Sequence, residues 1–310
     1  MRQIDFSHKP TQWVVLALLA LTWGSSFILM KKGLVFFDST EVAAFRISLA
    51  ALVLSPIALR NLGQFKGHVM PLLVTGLFGN ALPAFLFALA QTEIASGLAG
   101  ILNSLTSLFT LLIGVLIFRL KTTWMQVTGV CIALVGAAGL IGFESLLGLS
   151  ENSRYALLVV LASGMYGVAV NTIKSKLPHM RPTHITSLSF LMTGPWCALY
   201  LIFGTDFFHI VQTNQDSWMG VFYLVILAVV GTAAAVIMFN RLIKETTAIF
   251  ASTVTYLIPI VAVGWGLVDG EITTLVDLAF MLFILTGIFL INMKSPRSIY
   301  ESLTQKNKGR

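Results

Sequence analysis

Arg46 is the one charged residue set well inside a long uncharged stretch of this chain. A charge at the centre of a bilayer costs ~2.5–3.5 kcal/mol even on the mildest scale, so it needs a partner, water or the headgroup layer. Its planar fork suits a carboxylate or a phosphate. The alternative is that its stem carries the guanidinium outward, or that it pairs with Glu41 or Asp38 near that end.

Uncharged polar residues recur at helical spacing. Asn103, Ser107 and Thr110 fall at i, i+4 and i+7, and Ser252, Thr255, Tyr256 and Pro259 at i, i+3, i+4 and i+7. Small residues on such a stripe let transmembrane helices approach, and Ser or Thr can bond back to their own helix. An amide and a phenol demand more, so Asn103 and Tyr256 are candidates for lining a cavity, with packing as the alternative. Gly76, Gly79, Asn80 and Pro83 form a similar stripe, as do Gly231, Thr232 and the pair Phe239-Asn240. Asn80, Thr232 and Asn240 join the candidate contacts. Pro83 and Pro259 each remove a backbone donor and free a carbonyl, which makes a hinge or a static kink. Trp13, Trp124 and Trp218 sit at the ends of apolar runs and read as interfacial anchors. Trp23 and Tyr166 lie inside theirs, each followed by Gly, where they could stack on a solute or pack between helices. Asn171 would add an amide farther along the path from Tyr166.

Chemistry of other kinds lacks its residues. The five histidines, at 8, 68, 179, 184 and 209, form no HExxH, and no paired Asp lies in an apolar run. No catalytic residue, metal ligand or cofactor site is therefore expected, and an intramembrane enzyme is a remote alternative. A channel or facilitator is a second one, although rings of charge and a repeated filter segment are missing. Cys131 and Cys197 fall in apolar runs and read as packing residues.

The elements that must position these groups follow from composition. Of 310 residues 56% are apolar and 11% charged, with a mean hydropathy of +0.87, against roughly 25% charge in ordinary globular chains. Most of the surface must face hydrocarbon. The net charge of +7 is scattered between apolar runs and makes no nucleic-acid patch. Apolar runs near 20 residues, the length that crosses a bilayer core as a helix, occur at 11–30, 40–59, 69–92, 94–118, 122–143, 155–173, 183–203, 217–240, 246–268 and 274–293, with charge inside them only at Glu41, Arg46 and Asp277. The first is read as a retained helix, since it carries no small-residue cleavage pattern. With the N-terminus inside, sixteen of the twenty Lys and Arg fall in inner segments and only Lys31, Lys32 and Arg154 outside. The expected fold is all-α and integral to a membrane, with ten spans and both termini cytoplasmic.

The second half echoes the first. Trp23-Gly24 with Lys31 returns as Tyr166-Gly167 with Lys174 at the same spacing, and Gly79-Asn80 and Phe87 return 152 residues later as Gly231-Thr232 and Phe239. Five spans per repeat force the halves to enter the membrane from opposite sides, the plan of secondary transporters with a site near the midplane. The expected organisation is a cytoplasmic N-terminus (1–10), a five-helix repeat (11–143), an extracytoplasmic connector (144–154), a second five-helix repeat (155–293) and a basic cytoplasmic tail (294–310).

Trp23-Gly24-Ser25-Ser26-Phe27, Arg46, the run Ile101-Leu102-Asn103-Ser104-Leu105-Thr106-Ser107-Leu108-Phe109 and Tyr256-Leu257-Ile258-Pro259 resemble the EamA-type repeats of the drug/metabolite transporter superfamily. The resemblance covers nearly the whole chain and identifies a superfamily, not a substrate. It implies carriage of amino acids, purines, sugars, drugs or other metabolites, often outward; some relatives exchange nucleotide sugars or triose phosphates. The chain departs from the pattern at Ser107, where a Pro is usual, and at Arg119, where an acid is common and Glu271 keeps it in the second half. The expected function is efflux or exchange of a small metabolite by alternating access. The expected setting is a bacterial inner membrane, with a small-molecule substrate and lipid as partners, no nucleic acid, and a monomer or homodimer. Without an Asp or Glu deep in a span, coupling through an intramembrane carboxylate is not expected; Glu41 and Asp277 lie near span ends.

Overall fold

The computed structural model describes residues 9–119, 122–141, 151–246, 250–251, 254–271 and 274–292, and leaves aside the side chains of 9, 137–138, 140–141, 151–153, 256, 277, 288 and 292. The termini and most of the connector expected at 144–154 therefore lie outside the described residues.

Leu, Ala, Val and Ile dominate each uncharged run, and in hydrocarbon such a run can satisfy its backbone only within itself. Every regular element among the described residues is accordingly helical: α1 Lys9–Leu34, α2 Ser39–Leu59, a 3-10 turn Leu62–Phe65, α3 Val69–Ala90, α4 Ser96–Leu116, α5 Trp124–Ile141, α6 Glu151–Lys176, α7 Pro182–Phe203, α8 Phe207–Thr213, α9 Ser217–Glu245, α10 Val254–Val268 and α11 Leu275–Asn292. Seven of these rods, α1 to α4, α6, α7 and α9, are long and apolar enough to cross a membrane, and α5, α10 and α11 contain shorter apolar stretches. Large apolar side chains face outward along them, Leu52, Val225 and Phe289 among them, as a lipid solvent permits. The short α8 falls between two apolar runs and was not expected; its buried Phe207 lies 4.5 Å from Phe37 and 4.9 Å from Phe45, ring centre to ring centre.

The pairing of helices carries the repeat. α1 packs on α10 and α4 on α6; α1 also meets α9 while α3 meets α6; α2 faces α7 and α5 faces α11. Exchanging each helix for its counterpart in the other half (α1 with α6, α3 with α9, α4 with α10) returns the same set of contacts. Gly24 and Gly167, the repeat-matched glycines, each allow a close approach between halves. A Cβ on Gly167 would stand 2.9 Å from the Phe109 carbonyl carbon, and one on Gly24 would overlap the Val261 side chain.

Two rods are not uniform α-helix. α3 widens into a π turn at Leu77–Ala81 and α9 at Val229–Ala234, again 152 residues on. In the first, the Leu82 N–H reaches back five residues to the Leu77 carbonyl. Asn80 Nδ2 donates to the Thr75 carbonyl at 3.2 Å, and Thr232 Oγ1 to the Leu227 carbonyl at 2.8 Å, each five residues back and each at the matched position. Pro83 begins the α-helix that follows the first π turn, but Ala235 holds that place in the second. The widened turn therefore does not depend on proline. α4 is broken once, at Ser104, where the run 94–118 reads as one helix.

Candidate functional site

The two π turns face a common cavity between the halves. It offers about 110 Å³ to the centres of water-sized molecules, well above the ~10–15 Å³ that a single water needs. α1 contributes Trp23, Ser26, Phe27 and Met30, and α6 contributes Tyr166, Ala169, Val170 and Ile173, in both cases the i, i+3, i+4, i+7 face of the helix. α2 adds Arg46 and Ile47; α3 adds Thr75, Gly79, Asn80 and Phe87; α4 adds Asn103 and Thr106; α9 adds Thr232, Val236, Phe239 and Asn240; α10 adds Thr255.

Seven residues singled out in the sequence meet there: Trp23, Arg46, Asn80, Asn103, Tyr166, Thr232 and Asn240. Asn171 does not. Its Nδ2 donates to the Thr110 carbonyl and to the Gly167 carbonyl, both at 2.9 Å, so the amide ties α6 to α4. Five residues at 100° each carry it about 140° round the helix from Tyr166, off the cavity face. Pro83 and Pro259 are buried within α3 and α10 and line nothing. The Tyr256 and Asp277 side chains, and Ser252, lie outside the described residues. Ser26, Phe27, Ile173 and Val236 were missed because apolar or small residues carry no signal alone; extending the period from Trp23 and Tyr166 would have found the α1 and α6 members.

The aromatic walls are cross-matched between halves. Trp23 of α1 meets Phe239 of α9 edge-on at 4.9 Å, and Tyr166 of α6 stacks over Phe87 of α3 at 6.1 Å. The Trp23 indole N–H also donates to the Gly231 carbonyl at the π turn, 3.0 Å away. Arg46 does not turn toward Glu41 or Asp38, the pairing weighed from the sequence. Its Nε donates to Thr232 Oγ1 at 2.7 Å, across the interface between halves, while Glu41 accepts the Asp38 backbone N–H at 2.9 Å and caps α2. Asn240 Nδ2 donates to Thr186 Oγ1 at 2.8 Å. Ser107 and Thr255 hydroxyls meet at 3.0 Å and join α4 to α10.

Next to Met30, at one end of the cavity wall, an ionic latch ties α1 to the α10–α11 loop. Lys31 Nζ, at the end of α1, pairs with Glu271 Oε1 at 2.8 Å and Asp269 Oδ2 at 2.9 Å in the α10–α11 loop, and Lys32 adds a pair to Asp269. Glu271 also accepts the Ser96 N–H at 2.9 Å, the Ser96 hydroxyl at 2.7 Å and the Gly97 N–H at 3.0 Å, so it caps α4 as well. Burial opposes ionisation of Glu271, but Lys31 and the α4 donors outweigh it and hold the carboxyl below its ordinary range. Lys32 and Lys31 do the same for Asp269. At the other end Lys174 Nζ donates to the Ile243 carbonyl at 2.9 Å and the Lys244 carbonyl at 3.3 Å, capping α9 with no carboxylate in the contact.

Apolar rods that can cross a bilayer, gathered around a mainly apolar cavity with a few polar groups, are the build of an integral membrane protein. A model of the EamA-like transporter family matches residues 11–142 and again 153–293, and the chain belongs to that family, as an integral protein of the inner membrane. It is 25% identical over 289 residues to a probable amino-acid metabolite efflux pump of Salmonella typhimurium, covering 88% of this chain and 92% of that one. It is 26% identical over 181 residues to an uncharacterized transporter of Archaeoglobus fulgidus, where the match covers 57% of this chain and 62% of the relative. A solved structure described only as the crystal structure of a protein superposes with a TM-score of 0.64 over 92% of this chain and 97% of that one, at 16% identity, a likeness of fold.

Proposed function

We propose that the chain is a secondary transporter that moves a small metabolite outward by alternating access, through the cavity between its halves. The reading takes the ten apolar runs as ten spans, 11–143 and 155–293 as inverted five-helix repeats, and both termini as cytoplasmic. The observation that carries it is the shared wall: the i, i+3, i+4, i+7 face of α1 and the same face of its counterpart α6 line one cavity. A site built equally by two halves is one that rocking of those halves opens to either side in turn. The Lys31–Glu271 latch then lies at the outer end, and the Lys174 cap at the inner end. Trp23, Asn80, Asn103, Tyr166, Thr232 and Asn240 contact the solute, with Arg46. Among the described lining residues none is a carboxylate, which favours exchange or facilitated efflux over a relay through an intramembrane acid.

Proteoliposomes preloaded with amino acids, purines, sugars and drug-like amines in turn should show saturable counterflow of one class, reduced below about a tenth in Trp23→Ala and Asn103→Ala. Flux that never saturates and shows no counterflow would make the protein a channel. A cysteine at Lys32 should label from outside intact cells and one at Lys66 only after permeabilisation; the reverse pattern sinks the topology.

A further inference from the structure

The cavity read above as the transport path carries one formal charge among its described lining residues, and it is positive. Arg46 uses its Nε–H on Thr232, which is itself anchored to the Leu227 carbonyl at the π turn. Its two terminal nitrogens, four N–H groups in a fixed plane, have no protein partner among the described residues. The carboxylates that could have answered it are engaged elsewhere: Glu41 on the α2 cap, Asp269 and Glu271 in the latch. The Asn103 amide likewise makes no protein hydrogen bond among the described residues, although it is buried in the same wall. A guanidinium held in place at the cavity wall and left with an open fork is a site waiting for an anion.

From this we infer that the cargo is a small organic monoanion, a carboxylate on an apolar body, and that Arg46 sets the charge rule. The inference rests on the reading of the cavity as the transport path. A monoanion neutralises the site. A zwitterion brings an ammonium that no acid meets, a cation is repelled, and a phosphate dianion leaves one charge uncompensated in a low-dielectric wall. A cavity of about 110 Å³ suits a small solute, and Trp23, Phe27, Phe87 and Tyr166 suit an apolar body.

Leucine, its 2-oxo acid 4-methyl-2-oxopentanoate and leucinamide share one carbon skeleton and differ in net charge, so they separate charge from shape; glycerol phosphate tests the dianion. Counterflow in proteoliposomes should show half-saturation by the 2-oxo acid at least about tenfold below that of leucine, with no competition by leucinamide or glycerol phosphate. R46Q, checked for an unchanged melting temperature, should lose that preference, and R46K should retain part of it. Should R46Q fail to fold, Thr232→Val keeps the guanidinium but takes away the hydroxyl that anchors it, and should raise half-saturation for the 2-oxo acid while still excluding leucinamide. Leucine, leucinamide or glycerol phosphate carried as well as the 2-oxo acid overturns the charge rule and leaves the carrier reading standing, as does R46Q with wild-type preference. Flux of none of the four overturns the inference, and flux without saturation or counterflow overturns the carrier reading itself.

Discussion

Arg46 and Thr232 act as one unit drawn from both halves of the chain. Their hydrogen bond joins α2 to α9 across 186 residues of sequence, and Thr232 receives Arg46 with the same oxygen that donates to Leu227. Thr232→Val removes both contacts at nearly constant volume. A hydrogen bond to a charged group contributes about 1.5–3 kcal/mol, so half-saturation of counterflow should rise about tenfold or more. Thr232→Ser should stay within about twofold of wild type. Equal kinetics in the two variants would show that the fork needs no anchor. At this scale the sequence was legible where a residue was out of place for its solvent. Arg46, Asn80 and Asn103 stood out because polarity in an apolar run demands an explanation. Asn171 stood out for the same reason and misled, since its amide is satisfied by two carbonyls in a helix contact and polarity alone does not say which face a residue occupies.

The elements are written in hydropathy and the repeat in spacing, so the apolar rods and the matched pairs Trp23/Tyr166 and Phe87/Phe239 could be read without coordinates. The π turns could not. Gly79-Asn80 and Gly231-Thr232 marked the positions, but a widened turn depends on bonds five residues apart and on side chains that complete them, Asn80 to Thr75 and Thr232 to Leu227. Pro83, the apparent cause of a break, is dispensable on this view, because Ala235 follows the other π turn. Pro83→Ala should therefore keep transport within about twofold of wild type. A loss of tenfold would return the hinge to the proline. Gly167→Ala should behave oppositely. Its Cβ would press on the Phe109 backbone at 2.9 Å, where neither helix can yield cheaply, and overpacking costs typically 1–3 kcal/mol. A clearly lowered melting temperature in detergent should follow, and unchanged melting would mean that α4 and α6 are free to separate.

The whole molecule has ends of unlike chemistry. Glu271 of the second half meets Lys31 of the first, whereas its counterpart position in the first half is Arg119, and Lys174 holds carbonyls instead of an acid. Nothing in the spacing of the chain announces a pair 240 residues apart, which is why the latch was not legible. The asymmetry makes the latched end the one held by charge, and that gives its pH dependence a sign. Both loop carboxyls lie below their ordinary range, so their contribution to the latched state is complete above about pH 4.5 and is lost as pH falls through the lowered values. Accessibility of the cavity from that end should be flat between about pH 8 and 5 and rise only under stronger acid. Glu271→Gln leaves the hydroxyl and amide donors of α4 facing a neutral side chain and strips Lys31 of its nearest charge. Losing a charge-assisted contact of about 1.5–3 kcal/mol shifts a two-state balance about tenfold or more toward the unlatched form wherever Glu271 would be ionised. The measurement is the rate at which an impermeant thiol reagent labels Ser26→Cys in a background of Cys131→Ser and Cys197→Ala. At least several-fold faster labelling from outside in Glu271→Gln between about pH 8 and 5, with the acid dependence reduced to the share that Asp269 carries, is expected; a rate equal to that of the parent would mean that the two halves are held closed by packing around the cavity and not by the latch.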